Sequence, residues 1–134
     1  MDEEFLRELE KLVKKDGCFK KEAYLFLYDA LQYTVEKLDK THLPDDQRHI
    51  SGKDLLYGIS EHAMDQFGPL TLAVFDHWGV QRTQDFGTLV FNLVDAKLMS
   101  KTENDCIEDF IDVYDFSTEF DWQKRKNNFK RLVK

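Results

Sequence analysis

Apolar residues recur at intervals of three and four along most of the chain, the repeat of amphipathic helices. Phe5, Leu6, Leu9, Leu12 and Val13 make a first stripe, ending before Gly17, which suits the left-handed position after a helix. A second helix over about 20–39 places Tyr24, Leu27, Tyr28, Leu31, Val35 and Leu38 on one face. Leu25 and Phe26 broaden that face and make this the most enclosed element expected. Pro44 with Asp45-Asp46 marks 40–50 as a connecting loop. Ser51 followed by Asp54 resembles a helix cap, opening a stripe of Leu55, Leu56, Ile59, Ala63 and Phe67. Gly68 ends that helix and Pro69 opens a short one carrying Leu70, Ala73, Val74 and Trp78, which stops at Gly79. After Val80-Gln81-Arg82, Thr83 is the expected cap of a helix with Phe86, Leu89, Val90, Leu93 and Val94 inward.

The last third supports two readings. Ile107, Phe110, Ile111 and Tyr114 fit a helix capped by Thr102, the reading favoured here. Ile111, Val113 and the pair Leu98-Met99 would instead suit a short β-hairpin. From Thr118 an amphipathic helix would bring Trp122, Phe129, Leu132 and Val133 to one side. The expected fold is mainly α, one compact multi-helix domain over 1–134 with 122–134 as a basic amphipathic helix or tail. Residues 69–99 have the order of a helix-turn-helix, with Leu98-Met99 as a winged-helix-like strand.

Composition sharpens this picture without changing it. The 134 residues include 11 Phe, 5 Tyr and 2 Trp, enough large side chains for one core. Phe19, Phe91, Phe116, Phe120 and Trp122 lie off the clearest stripes. They imply either an exposed aromatic patch, a feature of protein interfaces, or a second layer of short helices that covers them. Met1-Asp2-Glu3-Glu4-Phe5 does not open a secretory signal, and no apolar run approaches the ~18 residues of a membrane span. Cys18 and Cys106 fall in no Cys-x-x-Cys pattern and read as reduced thiols. A cytoplasmic location without a membrane span is therefore expected.

Several strings resemble an uncharacterised family of small bacterial proteins of planctomycetes and verrucomicrobia. They are Arg48-His49-Ile50-Ser51-Gly52, Phe67-Gly68-Pro69, Asp76-His77-Trp78-Gly79-Val80, Arg82-Thr83, Asp85-Phe86-Gly87, Phe91-Asn92-Leu93-Val94, Asp109-Phe110 and Tyr114-Asp115-Phe116. The resemblance covers about residues 19–121 and implies no activity and no catalytic residue.

Charge bears most on function. The net charge is −7, yet residues 124–134 carry six bases and no acid, so residues 1–123 hold 13 bases against 26 acids. An acidic body disfavours nucleic acid as the main partner, since phosphate binding needs concentrated positive charge. The second helix of the helix-turn-helix would offer a phosphate Gln84, Asp85, Thr88, Asn92 and Asp95, with only Arg82 and Lys97 as nearby cations. The tail suits contact through Trp122, Lys124, Arg125, Lys126, Phe129, Lys130 and Arg131. It would dock either on the chain's own acidic stretch 103–121 or on an external anionic surface.

Candidate chemistry is sparse. Arg48, His49, Ser51 and Lys53 cluster near one helix start and would face Asp76, His77 and Arg82 near another, an arrangement able to hold an anion. The plainer reading is that Ser51 caps its helix and Trp78 fills the core. His42, His49, His62 and His77 lack the spacing of zinc ligands, and no calcium loop, phosphate loop or nucleophile motif is present. No cofactor and no metal are expected. The favoured reading is a non-enzymatic protein-interaction or regulatory module with a protein partner or homodimer. A nucleic-acid binder, and a small enzyme or ligand binder near His49 and His77, are the alternatives.

Overall fold

The computed structural model describes residues 3–38, 43, 50–99 and 107–123. In order these are α1 (Glu3–Asp16), α2 (Lys21–Lys37), α3 (Gly52–Phe67), a 3-10 turn (Gly68–Leu70), α4 (Thr71–Trp78), α5 (Thr83–Asp95), a 3-10 turn (Ile107–Phe110) and α6 (Phe116–Glu119). The chain is mainly α, and no strand occurs among the described residues.

Helices α2 and α3 form the central pair, on which α5 and α4 pack, with α1 against α2. Their closeness has a local cause. A Cβ on Gly58 would lie 1.8 Å from Thr34 Oγ1, so only glycine lets the two backbones meet here. Thr34 is buried and donates to the Ala30 carbonyl at 2.7 Å, which satisfies its hydroxyl inside the seam. The face of α2 that this packing hides is Ala23, Tyr24, Phe26, Leu27, Ala30, Thr34 and Val35. Leu38, expected inward, is exposed because the helix has ended before it.

Several boundaries fall where the residue pattern placed them. Gly17 takes φ +73° after α1, and Gly79 takes φ +87° after α4. Ser51 Oγ accepts from Asp54 N at 3.1 Å to cap α3; Pro69, expected to open the next helix, lies instead inside the 3-10 turn Gly68–Leu70, and α4 starts at Thr71. Others do not. Thr83 is not a cap: it is fully buried, and its hydroxyl donates to the Phe110 carbonyl at 2.6 Å and accepts from Val113 N at 3.2 Å. The free amides at this end are met by Asp85 Oδ2, which accepts from Gln81 N at 2.8 Å and Arg82 N at 3.3 Å.

On α4 the inward face is Thr71, Phe75 and Trp78; Leu70 and Ala73 point outward and Val74 is partly buried. Phe75 is the hub of the core. Its ring centroid lies 5.3 Å from those of Phe86 and Phe120, and 5.7 Å from those of Phe26 and Phe116. Edge-to-face and tilted contacts in this range suit the ring quadrupole.

Phe116 and Phe120 therefore belong to the interior, as does Phe19, while Phe91 and Trp122 are partly buried against it. The aromatic residues off the main stripes do not form an exposed patch. The described part of the last third carries Phe116 and Phe120 into the core, though neither as the expected helix nor as a hairpin. Leu98 and Met99 form bends, Ile107–Phe110 is a single 3-10 turn, and Asp112 takes φ +48°. Thr102, where the expected helix would be capped, lies outside the described residues. The strap from 107 to 120 is pinned by Thr83, by Gln84 Nε2 donating to Asp112 at 3.0 Å, and by the Tyr114 hydroxyl donating to the Leu56 carbonyl at 2.8 Å. Ser60 also donates to Glu119. A Cβ on Gly87 would meet Phe110 Cβ at 2.8 Å, so the strap sits directly on the α5 backbone.

Helix α6, capped by Asp115, which accepts from Thr118 N at 3.3 Å, is not the long helix expected from Thr118: it ends at Glu119, and among the described residues beyond it the chain is helical again only at 122–123. The hydrogen bond from Ser117, with those from Thr118, holds the Asp115 carboxyl below its ordinary range. Of the proposed basic helix or tail 122–134, residues 124–134 lie outside the described residues, as does most of the loop 40–50.

Candidate functional site

Of the expected anion cluster, Ser51, Lys53, Asp76, His77 and Arg82 lie among the described residues. Ser51 has its hydroxyl in the α3 cap, and Lys53, His77 and Arg82 are each exposed. Arg48 and His49 lie outside the described residues. Asp76 is reached by Gln81 Nε2 at 3.5 Å. The start of α3 is also occupied by the chain itself: a Cβ on Gly52 would lie 2.9 Å from Asp109 Cβ and 3.1 Å from the Phe110 ring. An acidic turn, Ile107–Phe110, thus packs where an external anion was expected.

The outer face of α5 is similarly engaged. Gln84 holds Asp112, Asp85 caps the helix, Thr88 donates to the Gln84 carbonyl at 3.3 Å, and Asn92 donates to the Tyr24 hydroxyl at 3.0 Å. These groups are partly buried and used within the fold, so few remain to read a base edge. No group of three or more His, Cys, Asp or Glu side chains with metal-holding geometry occurs among the described residues.

A different place collects aromatic faces and charge. Along the seam of α2 and α3, beside the end of α4, a groove of about 210 Å³ is lined by Glu22, Leu25, Phe26, Asp29, His62, Gln66, Phe67 and Trp78. Helix periodicity builds it. Glu22, Leu25, Phe26 and Asp29 fall on one face of α2 at three- and four-residue spacing, and His62 and Gln66 are one turn apart on α3.

Phe26 forms the floor. His62 stacks on it at 5.4 Å and 27°, and Phe67 and Trp78 flank it at 5.6 and 5.5 Å. Tyr33 continues the row beyond His62 at 5.1 Å, with its hydroxyl donating to Glu61 at 3.0 Å. Trp78 is anchored from behind, since its carbonyl accepts from Lys20 N at 3.2 Å. Glu22 and Asp29 are exposed on the rim and pair with no base among the described residues, whereas the adjacent Lys21 meets Glu10 at 3.6 Å.

None of these lining residues belongs to the clusters picked out from sequence. Phe26 was visible only as a residue broadening a core stripe, and His62 only as a histidine without metal spacing. The signal that was present is the alternation of acid and ring on one face of α2. Which face of α3 would meet it depends on the Gly58–Thr34 contact, a tertiary fact.

Trp122, expected as a partner contact, is partly buried against the core beside Gly68, where an added Cβ would lie 3.6 Å from its ring. Lys124, Arg125, Lys126, Phe129, Lys130 and Arg131 lie outside the described residues. Among the described residues no helix is long and apolar enough to cross a membrane. No protein-family model, curated protein or solved structure matches the chain.

Proposed function

We propose that this chain is a non-enzymatic cytosolic module that works by contact with another protein, and that the α2–α3 groove is its contact surface. One observation carries the reading. The groove places the half-buried rings of His62 and Phe67 next to two carboxylates that have no ionic partner among the described residues, whereas Gln84, Thr88 and Asn92 on α5 are engaged within the fold. Partly buried rings beside unmatched charge are what a partner's side chains complete at the centre of an interface. The resemblance to the planctomycete and verrucomicrobial family adds no activity to this reading.

A winged-helix-like nucleic-acid binder is the second reading. It is favoured by α4, a four-residue turn and α5 in sequence, the layout of a helix-turn-helix. Against it stand the engaged outer face of α5 and the net −13 of residues 1–123. A small enzyme near His49 and His77 draws less support, since His77 is exposed and Ser51 serves as a cap.

Selection of random peptides against the full chain, followed by amide NMR, tests the first reading. A contact module should enrich a peptide consensus and shift a contiguous set of surface amides on binding. A strictly monomeric chain that enriches nothing overturns it. Duplex DNA binding that weakens steeply with added salt would establish the second reading in its place.

A further inference from the structure

Resting on the contact reading above, we infer that the α2–α3 groove receives a lysine or arginine side chain presented by the partner protein. Size is the first ground. At about 210 Å³ the groove is smaller than the roughly 300–1,000 Å³ typical of cofactor and drug-sized sites, and it is open at the surface, so it accommodates one side chain rather than a nucleotide or flavin.

Ring chemistry is the second. The half-buried Phe67 lies 5.6 and 5.7 Å from the buried rings of Phe26 and Trp78, and a cation held against its exposed side is attracted by the ring quadrupole. The aliphatic stem of a lysine or arginine would meanwhile cover Leu25 and the ring edges.

Charge is the third. Glu22 and Asp29 lie seven positions apart on α2, about 10 Å along the helix, one toward each end of the groove. No lysine or arginine lines the groove, and Lys21, the nearest in sequence to Glu22, is paired with Glu10. An entering anion would meet two carboxylates, and a neutral apolar side chain would leave both unmatched. A cation matches both features at once, and the excess negative charge of residues 1–123 favours its approach.

The test uses the full chain and a fluorescein-labelled peptide of alternating lysine and glycine, read by anisotropy and by amide NMR. Binding should shift Leu25, Asp29, His62 and Gln66 together with the Trp78 indole. The double variant Glu22→Gln/Asp29→Asn should weaken binding at least fivefold. Glu3→Gln/Glu4→Gln, the same charge change on the first turn of α1, should weaken it less than twofold. Phe67→Leu, which leaves the charge untouched, should weaken it about threefold, with circular dichroism showing that each variant folds.

Equal weakening by both double variants overturns the inference, because attraction would then be general. Shifts confined to another surface overturn it while leaving the contact reading in place. Tetramethylammonium that shifts the same residues at lower concentration than the peptide assigns the groove to a small organic cation instead. Concentration-dependent groove resonances in the peptide-free chain assign it to a second copy. If peptide selection also yields nothing, the contact reading itself fails.

Discussion

Tyr28 faces α1 and the end of α5 at once: its ring meets Phe5 edge-on at 4.9 Å and its hydroxyl donates to the Leu98 carbonyl. Burial pushes its phenol from 10.0 up to about 12, and burial also raises Tyr24, against the opposing hydrogen bond from Asn92. A raised pKa in the folded state means that the neutral phenol is favoured there. Its contribution to stability is complete below about pH 10 and is lost as pH climbs through about 12. Urea midpoints should therefore fall above pH 10, and Tyr28→Phe should flatten that fall while lowering the midpoint at pH 7. A variant whose alkaline slope equals that of the parent would show that Tyr28 is not the titrating group.

At this same scale the sequence is least legible. Phe75 and Val74 are neighbours of similar hydropathy, and which of them enters the core depends on a small rotation of an eight-residue helix. Thr83 is an equally good cap and an equally good buried hydroxyl until Phe110 is known to lie above it.

Elements were far easier to read than single residues. The start of α3 and the ends of α1, α3 and α4 follow from Ser51, Gly17, Gly68 and Gly79, whose local chemistry is decided within four residues. The strap 107–120 was not legible as such, because its conformation is dictated by what it lies on. Its apolar residues Phe110, Phe116 and Phe120 follow a spacing set by the gap between α3 and α5, not by a repeat of its own.

The α2–α3 pair makes a sharp prediction at this scale. Gly58→Ala would normally favour a helix, by about 1 kcal/mol. Here the added methyl collides with Thr34, and overpacking of this kind costs about 1–3 kcal/mol. A net destabilisation in urea denaturation is expected, partly restored by Thr34→Ala in the same chain. Stabilisation by Gly58→Ala alone would mean that the helices are farther apart than described.

For the whole molecule, the decisive fact is that its interior is shared between early and late parts of the chain. Phe75 from α4 and Phe86 from α5 are closed over by Phe116 and Phe120. Thr83→Val isolates this linkage. The substitution keeps the volume but leaves the Phe110 carbonyl and the Val113 amide without their buried partner, a loss on the order of 2 kcal/mol. Hydrogen exchange should then accelerate across 107–120 more than across α2 and α3; uniform acceleration would argue against the strap as the weaker unit.

Synthesis proceeds from the N-terminus, so a ribosome releases α4 and α5 well before residue 120. Until that residue emerges, the rings of Phe75 and Phe86 lack their lid and offer a sticky surface to chaperones or to neighbouring nascent chains. Slow decoding after α4 and α5 have left the exit tunnel but before residue 120 has emerged would lengthen that vulnerable interval, and fast decoding there would shorten it.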